Sequence, residues 1–191
     1  MYLERKVSVS NEQAILQQYL EFCASPLRTE QSIKDEYQQL LRNPDVTHVA
    51  FHKPHILMVG TKSIVITSND IEYEVGEFIL FLIRKRVGRV WETRLRFANM
   101  LHPLHEFNGK HVLETIIMHP HIMGVEDSDI DFPTGELCIA SGQLPIYQSL
   151  RKGYINTAVA HLMVVLRTYG TGVPFRPIEH WPQIIKDSDD A

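Results

Sequence analysis

The sequence predicts an α+β domain in which a four-stranded antiparallel meander is flanked by helices. Two observations carry this. Two amphipathic stripes of helical period lie near the N-terminus, and short β-rich runs separated by turn residues follow them. A third helical stripe comes only after residue 150, so strands are grouped and helices segregated before and after them, as in an α+β layer fold.

Each element has a local reason. Ser10 and Gln13 have capping-box spacing, and beyond them Ile15, Tyr19, Phe22 and Cys23 form one helical stripe that Ser25-Pro26 stops. A second helix is expected over 30–42, with Ile33, Tyr37, Leu40 and Leu41 on one face and Asn43-Pro44 ending it. The runs 55–59, 63–68, 77–84 and 90–97 are rich in Val, Ile, Phe and Leu, and Gly60, Asn69-Asp70 and Gly88 punctuate them. In the last run Trp91, Thr93, Leu95 and Phe97 alternate with Glu92, Arg94 and Arg96, which predicts one buried and one wet face. Residues 100–150 read as a long structured loop with some packed apolar residues. Tyr154, Ala158, Leu162, Leu166 and Tyr169 then mark a helix ending at Gly170, its start left open by Gly153. The organisation expected is an N-terminal helical extension over 1–26, a main domain over 27–180 and a frayed acidic tail over 181–191.

Composition narrows the function. The chain has 191 residues, 44% hydrophobic and 22% charged, a globular profile for one domain with an extension. A net charge of -4 argues against a generic nucleic-acid binder. The 2 cysteines allow neither a disulfide scaffold nor zinc-finger spacing. No signal-peptide core and no membrane-length apolar run are evident, so a cytoplasmic, reducing location and no membrane partner are expected. There is no P-loop, dinucleotide fingerprint or Gly-x-Ser-x-Gly elbow, and no cofactor is expected.

Two pieces of the long loop stand out: His119-Pro120-His121-Ile122, and Gly135-Glu136-Leu137-Cys138-Ile139. Cys138 taken alone fits a small buried apolar residue slightly better than a nucleophile. The order of pieces changes the balance: a helix ending in Arg-Asn-Pro, the meander, His-Pro-His, Gly-x-x-Cys and a long helix. This order resembles the ubiquitin-conjugating enzyme fold, and more closely the prokaryotic relatives of that family, whose signature is His-Pro-His where eukaryotic members have His-Pro-Asn. The resemblance spans about three quarters of the chain, from Glu30 to about Tyr169.

The resemblance implies a thioester relay. An activating enzyme would hand the C-terminal glycine of a ubiquitin-like protein to the Cys138 sulfur, which would hold it until an amine of a protein substrate attacks. It implies an oxyanion donor or proton acceptor at His121 and a loop-pinning hydrogen bond at His119. It also implies a setting beside a peptidase and, in some systems, anti-phage defence. His121 lies seventeen positions before Cys138, with the acidic stretch 124–134 as a rim excursion between them. If close, its carboxylates would raise the thiol's pKa, repel wrong partners or attract a lysine-rich acceptor.

Three alternatives stay open at this point. His119 and His121, with His111 or Cys138, are a conceivable zinc set. A catalytically inactive binding module or scaffold of the same fold is another. The N-terminal helix is either a docking or homodimerising element or a helix packed on the sheet, since both need the same stripe.

Overall fold

The computed structural model describes residues 9–87, 90–101, 104–107, 114–125, 127–131, 133–137, 143–168 and 177–185 (backbone only at 9–11, 87, 90–91, 104–107, 114–118, 123 and 143–144). Two helices, α1 (Val9–Cys23) and α2 (Glu30–Arg42), precede the strands β1 (Val46–Lys53), β2 (Ile56–Thr61), β3 (Ile64–Ser68), β4 (Ile71–Gly76), β5 (Phe78–Val87) and β6 (Val90–Asn99). Four more strands follow: β7 (Leu104–Phe107), β8 (Glu114–His119), β9 (Ile122–Val125) and β10 (Thr134–Leu137). The helices α3 (Gln143–Lys152) and α4 (Ile155–Arg167) come after them.

The fold is α+β with an antiparallel sheet, but the expected four-stranded meander is corrected. Eight strands form the main sheet in the order β1-β2-β5-β6-β10-β9-β8-β7, and β3-β4 is a separate two-stranded sheet. The run 63–68 therefore leaves the main sheet: Asn69 and Asp70, at φ 51° and 63°, turn it back on β4. β1 carries no clear strand signal, since its sequence, VTHVAFHK, mixes His, Lys and Thr among its apolar residues; it is an edge strand with a half-buried pattern. Strands β7–β10 lie in the stretch expected as loop, where Pro, Gly and His punctuation broke up runs of four to six residues.

One face of the sheet carries the helices. Val49, Leu57, Val59, Leu80, Leu82, Leu95 and Phe97 pack in one core with Tyr19, Phe22, Cys23, Tyr37, Leu40, Ile155, Val159, Leu162 and Leu166. Helix α1 thus supplies core side chains. Thr29 caps α2, its hydroxyl accepting from the Ser32 amide at 3.2 Å. The expected last helix is α4, whereas α3 lies in the stretch expected as loop; Gly153 (φ 77°) separates the two, and a Cβ there would stand 2.7 Å from the Cys23 carbonyl oxygen. The buried Arg84 guanidinium donates to the carbonyls of Phe22 and Arg151, a cation at the C-terminal ends of α1 and α3.

On the opposite face the alternation expected in 90–97 holds in part, with Glu92 exposed and Arg94 and Arg96 half-buried. Ile56, Phe81, Ile83 and Ala98 form a second apolar cluster there, closed by Ile130 from the segment 127–131. The expected frayed tail is corrected at its start. Trp181 is buried, the Pro182 carbonyl accepts from the Glu74 amide and the Ile184 amide donates to the Glu72 carbonyl, each at 2.8 Å on β4. Residues 186–191 lie outside the described residues.

Candidate functional site

His119 ends β8, and Pro120 and His121 form the turn into β9; all three are buried. The His121 backbone amide donates to His119 Nδ1 at 3.1 Å. Nδ1 is therefore the unprotonated nitrogen, and Nε2–H donates to the Leu166 carbonyl oxygen at 2.9 Å. That carbonyl belongs to the last turn of α4, where no helical partner exists. Phe78 packs edge-on against the ring, with centroids 6.1 Å apart.

Burial holds the His119 pKa down to about 4, against the Leu166 bond that favours the charged form. Burial also lowers the pKa of His121, whose ring centroid lies 6.0 Å from that of His119. Both rings are neutral at pH 7. His119 has both nitrogens committed within the protein, which removes it from the zinc set considered above. Among the described residues no group of three or more His, Cys, Asp or Glu is placed to hold a metal. His111 lies outside the described residues.

The seventeen-residue separation closes through a hairpin. β9 and β10 pair as Val125↔Thr134, Gly124↔Gly135, Met123↔Glu136 and Ile122↔Leu137. Leu137, which immediately precedes Cys138, is thus the cross-strand partner of Ile122, which immediately follows His121. Cys138 itself lies outside the described residues.

The acidic stretch between these strands folds onto the sheet. The fully enclosed Asp127 carboxylate lies 3.0 Å from both Arg94 Nη1 and Arg96 Nε. Asp129 accepts from Lys85 Nζ at 2.5 Å and from Arg94, and its backbone carbonyl accepts from Lys53 at 2.7 Å. The Lys85 hydrogen bond, chiefly, holds the Asp129 carboxyl down to about 2. Two carboxylates expected to form an acidic rim are therefore engaged by β5 and β6, while Asp131 remains exposed. Arg94 and Arg96 lie on one strand face and Asp127 and Asp129 offer matching charges, but a separation of more than thirty residues hides the match in the sequence.

The second cysteine is a core residue. Burial pushes the Cys23 thiol up to about 12. No helix among the described residues is long and apolar enough to cross a membrane. No protein-family model matches this chain, no curated protein matches it, and no solved structure matches it.

Proposed function

We propose that this protein is a ubiquitin-conjugating-enzyme-like transferase that carries a ubiquitin-like protein as a thioester on Cys138. The observation that supports this most is the pairing of Leu137 with Ile122, which joins the strand that immediately precedes Cys138 to the end of the His119-Pro120-His121 turn. The reading requires the Cys138 sulfur to come within reach of His121.

The Cys138 sulfur attacks the carbonyl of a modifier already held as a thioester on an activating enzyme. A new C–S bond forms, the old one breaks, and the activating enzyme's thiolate leaves. In the second step a substrate amine attacks the same carbonyl, the C–N bond forms and the Cys138 thiolate departs. A neutral His121 suits that second step. It can donate N–H to the oxyanion, a contribution of about 2.7–4 kcal/mol for one such donor, or take the proton from the attacking nitrogen. His119 acts behind it by fixing the turn. The partners are a ubiquitin-like protein, its activating enzyme and a protein amine, with a cytoplasmic setting and a place in bacterial anti-phage conjugation.

The test combines the purified chain with the activating enzyme and ubiquitin-like protein encoded beside it, plus ATP, on a non-reducing gel. A slower band removed by reductant and absent from Cys138→Ala is expected. No band, with stable binding of the same proteins, would replace the transferase by a scaffold.

A further inference from the structure

Arg96 stands between the two parts of the β9–β10 hairpin. On one side its Nε lies 3.0 Å from the enclosed Asp127 carboxylate, at the start of the segment that closes the outer apolar cluster. On the other its Nη1 lies 3.6 Å from Glu136 Oε1, on β10 itself. β10 meets β6 through the register pair Gly135↔Phe97, so Glu136 and Arg96 are the next residues on each strand and face one another. Glu136 is two residues before Cys138.

All four residues of β10 pair with β9, but backbone pairing ties β10 only briefly to β6. Among the described residues one register pair ties it to β6, whereas β5 and β6 share ten. The guanidinium supplies what the ladder lacks, because its planar fork can hold two carboxylates on different chain segments at once. Asp127 has a second cation in Arg94, so the segment 127–131 stays fastened if Arg96 changes. Glu136 has Arg96 as the cation facing it from β6.

We propose that Arg96 is a positioning residue for acyl transfer, seating the β9–β10 hairpin, and with it the approach to the His119–His121 turn, on β6 by bridging Asp127 to Glu136. This rests on the thioester reading above. Misplacement of a reacting group by about 1 Å can cost about a hundredfold in rate, so loosening this bridge affects transfer out of proportion to stability. A lysine at position 96 keeps the charge but presents one point rather than a fork.

The experiment charges wild type, Arg96→Lys, Glu136→Gln and, as a control at an exposed ion pair with Asp45, Arg167→Lys. It then follows single-turnover discharge to free L-lysine. Discharge is counted per charged molecule, so a variant that merely folds less well keeps the wild-type rate constant. The expected result is at least about a tenfold slower discharge for Arg96→Lys and Glu136→Gln, and a wild-type rate for Arg167→Lys. Wild-type discharge rates in both site variants would overturn the positioning role and leave the thioester reading standing. Failure of the wild-type chain to charge would overturn both.

Discussion

The Nε2–H of His119 donates to the main-chain oxygen of Leu166 across 2.9 Å, tying the turn after β8 to the last turn of α4. The same ring accepts the His121 amide, so one side chain satisfies two backbone groups that helix and sheet leave over. His119→Ala strands both groups in the interior and opens a cavity. A loss of about 3–4 kcal/mol in unfolding free energy is expected from denaturant titration. A loss below about 1 kcal/mol would mean that the bonds are dispensable.

That ring also makes stability depend on pH. A histidine in the unfolded chain titrates near 6.5 and His119 in the fold near 4, so between those values the unfolded chain binds a proton that the folded chain refuses. Stability from this source is complete above pH 6.5, falls as pH drops toward 4 and levels off below, a change of about 3 kcal/mol. The lowered pKa of His121 adds in the same direction. Denaturant midpoints from pH 7.5 to 4.5 should trace the decline, and His119→Gln should flatten it. An undiminished slope in that variant would assign the effect elsewhere.

Arg28 and Glu36 form a buried ion pair of 2.5 Å, and Glu36 also accepts the Asn156 amide at 3.0 Å near the start of α4. Their side chains are 2% and 8% exposed, so removing one partner leaves the other charge buried. Glu36→Gln is expected to cost about 3–5 kcal/mol, and the double variant with Arg28→Met less than the sum of the two. Additive losses would show that the pair is not coupled.

Cys23 is enclosed with its thiol pushed up to about 12. Iodoacetamide at pH 8 should leave it unmodified in the native protein and alkylate it once guanidinium unfolds the chain, as peptide mass spectrometry reports. Alkylation of Cys23 in native protein at the rate of a free thiol would contradict its place in the core.

Long-period signals in this sequence carried through to the fold, and short ones did not. The stripes of α1, α2 and α4 and the runs of β2, β5 and β6 span enough residues to reveal their period. β7, β9 and β10 are 4 residues each, too short for alternation to register amid Pro, Gly and His. Arg94 and Arg96 look solvent-facing by pattern alone, because what covers them arrives from more than thirty residues away. His119 and His121 were legible as a pair through their spacing about Pro120. The hairpin register that brings Leu137 to Ile122 was not, since it depends on where a long acidic excursion folds back.

The account depends on positions 121 and 138 facing each other across that hairpin, and disulfide trapping reads this without any partner protein. Opposed residues of an antiparallel pair have Cα atoms about 4.5–5.5 Å apart, within the reach of a disulfide. In a His121→Cys, Cys23→Ser chain, mild oxidation is expected to join the introduced thiol to Cys138, seen as an intramolecular cross-linked peptide after digestion. Two free, separately alkylated thiols under the same oxidant, in a chain that remains folded, would contradict it.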